Sequence, residues 1–141
     1  MATHKGSCMC GAVSVEVEGD PQAMLVCHCQ DCRAWSASPV NGAALWPRDK
    51  MTVTQGQDNI QSYARSEGHN RSWCTKCGGH VFTDHIPFGL VDVYASVIED
   101  FDFQPAIHVN YESTIMPIKD GLPKFKDFPA DFGGSGETMP E

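Results

Sequence analysis

Seven cysteines fall into three blocks, Cys8-Met9-Cys10, Cys27-His28-Cys29-Gln30-Asp31-Cys32 and Cys74-Thr75-Lys76-Cys77-Gly78-Gly79. Sulfurs clustered at these spacings suit one chemistry above others, the ligation of a metal ion as thiolates. In an extended segment residues i and i+2 face the same way, so Cys8 with Cys10, and Cys27 with Cys29, can each offer two sulfurs to one ion. Met9 and His28 then face away. A Cys-x-x-Cys turn closes on a tetrahedral Zn²⁺, and Gly78 after Cys77 gives the backbone room to curl round it. Two closed four-ligand sites need eight donors, one more than the chain has. A Cys₄ zinc is structural, whereas a three-ligand zinc keeps one position for water or substrate and is the pattern expected of catalysis. Spacing admits two divisions. Cys29 and Cys32 can join Cys74 and Cys77 in a ribbon-like site, or Cys8, Cys10, Cys74 and Cys77 can form the Cys₄ set and leave Cys27, Cys29 and Cys32 together. The second is preferred, because three ligands within six residues make a local cage and the four-sulfur set fastens the start of the chain to its middle.

A zinc held by three thiolates is a soft, weakened Lewis acid, so the natural fourth ligand is another sulfur rather than an activated water. Seven thiolates outweigh two dications, and Lys5, Arg33, Arg71 and Lys76, each within three residues of a cysteine, can offset that charge or lie exposed as ordinary surface cations. Among other chemistry-bearing residues, His28 reads as an imidazole packed away from the metal, and His4, His69, His80 and His85 as surface or hydrogen-bonding groups. Trp35, Trp46 and Trp73 read as core aromatics. Asp120-Gly121-Leu122-Pro123 reads as a structural turn, and Glu99, Asp100 and Asp102 as a solvated loop.

The elements that must position these residues are short. Thirteen Gly and nine Pro cut the chain into strand-sized pieces. Ala12 to Glu18 alternates apolar with polar residues and stops at Gly19-Asp20-Pro21, the signature of a half-buried strand. Further strands are predicted over Met24–Val26, Gly42–Trp46, Met51–Thr54, Ile60–Ala64, Arg71–Trp73, His80–Thr83, Leu90–Ser96 and Ile107–Tyr111. Helical character is confined to Gln30–Ala37, with a short turn near Ile98–Phe103. The prediction is a mainly β, chiefly antiparallel domain over residues 1–128, followed by a flexible, acidic and Gly-rich tail over 129–141.

The length of 141 residues suits one domain, and 41% hydrophobic with 20% charged residues is an ordinary globular balance. A formal charge of −8 is the wrong sign for gripping phosphate backbones, which argues against nucleic acid as a partner. No apolar run approaches the roughly 18 residues of a membrane span, and the first residues lack a signal-peptide core. A cytoplasmic location is expected, where thiols seldom settle into disulfides and metal ligation is the first use for so many cysteines.

Taken together these residues resemble the glutathione-dependent formaldehyde-activating enzymes, or S-(hydroxymethyl)glutathione synthases. The resemblance is carried by Gly6 to Val13, Cys27 to Arg33, Ser66 to Arg71 leading into Trp73 to Gly78, Pro105 to His108 and Asp120 to Pro123. It runs from about Gly6 to Pro129. It departs where relatives tend to carry a Trp and this chain has Ile115-Met116. The resemblance implies a β-tent zinc-binding fold of short antiparallel sheets with two Zn²⁺ per chain. One would be structural, at Cys8, Cys10, Cys74 and Cys77, and one catalytic, at Cys27, Cys29 and Cys32. It further implies a carbon–sulfur lyase whose partners are a small-molecule thiol, glutathione, and an aldehyde, formaldehyde. The same fold also serves non-catalytic zinc-stabilised binding or chaperone modules. That is the alternative function.

Overall fold

The computed structural model describes residues 2–141. Strand takes 39% of the chain and helix 18%, so the mainly β class with short antiparallel sheets holds. Contacts divide the chain into two compact units. Unit 1 comprises Met1–Ala23 with Ala44–Phe103, and unit 2 comprises Met24–Ala43 with Gln104–Glu141.

Unit 1 contains a three-stranded antiparallel sheet of β1 (Thr3–Ser7), β2 (Ser14–Glu18) and β5 (Met51–Gln55), with β2 in the middle. The alternation predicted for β2 is seen directly, since Val15 and Val17 are buried while Ser14 and Glu16 are half exposed. One sheet face is thus apolar and the other polar, which fixes register by burial. β1 went unpredicted because His, Lys, Gly and Ser carry no apolar alternation. It is held by pairing with β2 from Thr3 opposite Glu18 to Ser7 opposite Ser14.

Unit 1 also holds an antiparallel meander of β6 (Ile60–Tyr63), β7 (His69–Cys74), β8 (His80–His85) and β9 (Leu90–Val93). The chain enters the unit along β4 (Asn41–Pro47), whose Leu45, Trp46 and Pro47 pair with Asp92, Val91 and Leu90. Trp46, Val81, Val91 and Val93 are fully buried, and the Trp46 indole N–H donates to the Gly19 carbonyl at 3.0 Å. Trp46 is therefore core, while Trp35 and Trp73 are only half-buried. The expected turn at Ile98–Phe103 is instead a single 3₁₀ turn at Ala95–Val97.

Unit 2 is built on β3 (Ala23–Cys27), which delivers the second cysteine block, and β10 (Ile107–Val109), which pairs with it in parallel: Leu25, Val26 and Cys27 lie opposite Ile107, His108 and Val109. α1 (Gln30–Ser36) follows, close to the predicted span. Residues 129–141, set apart in the sequence as a tail, hydrogen-bond within this unit: Lys126 N–H donates to the Glu137 carbonyl, Met139 N–H to the Lys124 carbonyl, and Phe125 bridges Thr138.

Candidate metal centre

The four-sulfur group lies in unit 1 and is assembled by two tight turns. The β1–β2 connection carries Cys8 and Cys10, with Gly11 N–H donating to the Cys8 carbonyl and Val13 N–H to Cys8 Sγ at 3.3 Å. Cys8 and Cys10 therefore share one ion-sized space through a turn rather than through an extended segment, and Met9 points to solvent, 93% exposed. Cys74 ends β7, and the β7–β8 connection carries Cys77. Lys76 N–H donates to Cys74 Sγ and Gly79 N–H to Cys77 Sγ, both at 3.3 Å, and Gly78 takes the left-handed conformation (φ 75°) that the turn requires. A side chain at Gly79 would stand 3.2 Å from Cys77 Sγ and 3.4 Å from Met9 N, so glycine also permits the two turns to approach.

The three-sulfur group lies in unit 2. Cys27 ends β3, Cys29 caps α1 with Sγ accepting the Cys32 N–H at 3.2 Å, and Cys32 projects from the first turn of that helix. Arg33 Nε donates to the His28 carbonyl at 3.2 Å, bracing the loop. Asn110 Nδ2 donates to Cys27 Sγ at 3.5 Å.

Both groups match the size of a tetrahedral thiolate site. A Zn–S bond of about 2.3 Å requires sulfurs about 3.8 Å apart along each tetrahedron edge. Cys8 and Cys10 are 3.7 Å apart, Cys10 and Cys74 3.8 Å, and Cys27 and Cys32 3.7 Å. Within each group all sulfurs lie within 4.8 Å of one another, and no fourth His, Cys, Asp or Glu among the described residues joins the trio. None of the seven forms a disulfide. Two Cys-rich groups can therefore each hold a metal ion.

Electrostatics point the same way. The Cys29 sulfur is the largest influence pushing the Cys27 thiol up to about 11, and the Cys27 and Cys29 sulfurs push Cys32 far above the ordinary thiol range. Three anions cannot crowd together unless a cation compensates them. In the other group the Gly79 N–H is foremost in drawing Cys77 down to about 6. Burial opposes ionisation of Cys8, but the Val13 N–H and the Cys74 and Cys10 sulfurs outweigh it and leave its pKa lowered.

His28, flanked by two of the sulfurs, is no ligand. It is fully buried, with Nδ1 2.8 Å from Thr114 Oγ1 and Nε2 2.8 Å from His108 Nδ1. Burial above all, with the charges of His108, Lys124 and Arg33, lowers its pKa to about 4 and keeps it neutral. His108 is also fully buried, and Asp120 accepts from it. Sequence reasoning missed this partnership. Its signals were a polar residue, His108, inside an otherwise apolar strand, and the place of His108 in the Pro105 to His108 stretch that carries the resemblance.

The family model described as glutathione-dependent formaldehyde-activating enzyme matches residues 3–113. A curated relative, an uncharacterized lyase of Schizosaccharomyces pombe, is 31% identical over 78 residues, which is 55% of this chain and 55% of that protein. The chain thus spans about half the length of the curated relative it matches. A crystal structure of a Rhodobacter sphaeroides protein is similar with a TM-score of 0.57 at 24% identity, covering 70% of this chain and 90% of that one, a likeness of fold alone.

Proposed function

The chain belongs to the glutathione-dependent formaldehyde-activating enzyme family, and on that premise we propose that it is a zinc-dependent carbon–sulfur lyase that joins a small thiol, glutathione, to formaldehyde. The observation that carries this reading is the trio Cys27, Cys29 and Cys32, three sulfurs of tetrahedral spacing whose neighbouring imidazole is turned away and engaged elsewhere. The group at Cys8, Cys10, Cys74 and Cys77 is assigned to a structural zinc, since four sulfurs complete a tetrahedron.

Zinc bound by the trio would supply a soft acid that favours a substrate sulfur and holds it as thiolate near neutral pH. The chain's own residues do the rest. The Cys27–Cys32 loop would supply three sulfur ligands to that ion. Asn110 donates to Cys27 Sγ and so moderates the charge of the trio. In the overall reaction a carbon–sulfur bond forms between the thiol sulfur and the aldehyde carbon, the C=O bond becomes C–O, and the proton lost by sulfur ends on the carbinol oxygen. No electron is gained or lost.

Two measurements test the reading. Exchange NMR of formaldehyde, glutathione and their adduct is expected to show faster interconversion with protein than without. No acceleration at any protein concentration favours the alternative, a zinc-stabilised binding module without turnover. Cys29→Ser is expected to release about one zinc and abolish that acceleration in a folded protein, and Cys77→Ser to unfold unit 1, because structural zinc contributes folding free energy directly. Identical unfolding of both variants would end the division of roles.

A further inference from the structure

Six side chains of unit 2 stand in an unbroken line. Thr114 Oγ1 lies 2.8 Å from His28 Nδ1, His28 Nε2 2.8 Å from His108 Nδ1, and His108 Nε2 2.7 Å from Asp120 Oδ2. Lys124 Nζ donates to Asp120 Oδ1 at 2.6 Å and to Glu141 Oε2 at 2.9 Å. Glu141 Oε2 also accepts the Asp120 and Gly121 N–H groups at 2.8 Å. His28 and His108 are wholly buried and Lys124 is 2% exposed. Asp120, Lys124 and Glu141 lie beyond residues 3–113, where the family model matches.

The line has a direction. A carboxylate paired with an ammonium can only accept, so His108 Nε2 carries a hydrogen, and a neutral His108 accepts at Nδ1. His28 must then donate from Nε2 and accept at Nδ1, which calls for a hydroxyl donor. Thr114 supplies it, and its oxygen meanwhile accepts the Met116 N–H at 3.1 Å. Every group is satisfied in one orientation, set from the Asp120 end. The ring at the centre belongs to the residue between Cys27 and Cys29. Its backbone is tied as well, His28 N–H to the Val109 carbonyl at 3.1 Å and its own carbonyl to Arg33 Nε.

We propose that Asp120, held by Lys124 and Glu141, is a positioning residue that sets the tautomers of His108 and His28 and thereby holds the Cys27–Cys32 loop in the geometry that grips the second metal ion. The proposal deepens the lyase reading and rests on its assignment of the trio. A merely structural turn at Asp120 to Pro123 would stabilise unit 2 without dictating which imidazole nitrogen carries the hydrogen. Outer partners of this kind change metal affinity about 10- to 100-fold in other metal sites.

The test uses the full chain loaded with zinc and does not depend on turnover. Long-range ¹H–¹⁵N spectra of the imidazoles are expected to show His28 and His108 both protonated at Nε2 alone. In Asp120→Asn the amide oxygen stays with Lys124 and the NH₂ faces His108, so both rings are expected to reverse to Nδ1–H. Asp120→Glu is expected to restore the original tautomers, and Thr114→Val to leave them unchanged. Competition with a chelator is expected to show the second zinc equivalent bound about tenfold more weakly in Asp120→Asn, with the first unaffected. Any other protonation pattern in the wild-type protein overturns the proposal without need of a variant. So do tautomers indifferent to Asp120→Asn, or a reversal that leaves the second zinc's affinity intact. Correct tautomers in a protein that fails to accelerate the thiol–aldehyde reaction would instead overturn the lyase reading alone.

Discussion

Asp92 is a buried acid that belongs to neither cysteine group. Its carboxyl is buried in unit 1 and accepts the Ala44 N–H at 3.1 Å. Burial pushes its pKa up to about 7 from 3.8, against the opposing pull of that hydrogen bond and of Arg71. Over this window the folded chain keeps a proton that the unfolded chain has lost, so stability falls as pH rises and levels off above about 7. Asp92→Asn keeps an acceptor for Ala44 and removes the titration. Its stability gain over wild type is expected to grow between pH 5.5 and 7.5, by at most about 1.4 kcal/mol per pH unit, when zinc-loaded proteins are compared by urea denaturation. A gain that does not change with pH would show that Asp92 is not the titrating group. At this scale the cysteines were legible because ligand spacing is written locally in the chain. Asp92 and Asp120 were not, because nothing near them in sequence announces a carboxylate buried as Asp92 is or tied to a distant histidine as Asp120 is. Asp120 to Pro123 read correctly as a turn, yet the partners of its aspartate lie 12 residues away at His108 and 21 away at the Glu141 acceptor.

Each of the nine predicted strand segments overlaps an observed strand, since apolar alternation and Gly/Pro punctuation are local signals. Pairing is not local. The parallel match of β10 to β3 brings Val109 opposite Cys27 and sets His108 beside the cysteine loop, and no spacing rule could have found it. The connection after β5 turns on Gly56, whose φ of 80° places a would-be Cβ 2.0 Å from the Ala12 carbonyl oxygen. Gly56→Ala must both strain that backbone and push away the β1–β2 connection that carries Cys10. A loss of roughly 1–3 kcal/mol is expected, together with weaker retention of the first metal in a chelator competition. Wild-type thermal stability in this variant would mean that the connection yields freely.

Each compact unit owns one cysteine group, the four-sulfur set in unit 1 and the trio in unit 2. Progressive chelation followed by hydrogen exchange is therefore expected to give two separable losses of amide protection. The trio, with one sulfur fewer, should release first, exposing amides in Met24–Ala43 and Gln104–Glu141. The other unit should follow at higher chelator. One concerted loss would mean that the two groups share a single folding unit. Composition bounded the molecule's class but was silent on this division, because both units are stitched from stretches far apart in the chain.

That stitching sets a timetable for the nascent polypeptide. A ribosome releases Cys27, Cys29 and Cys32 long before the imidazole that will face His28, which lies 80 residues further on. Throughout that interval the sulfurs emerge without their buttress, open to peroxide or to the wrong disulfide partner. An oxidant that reached those sulfurs in that interval would act on a chain whose supporting imidazole had yet to be made.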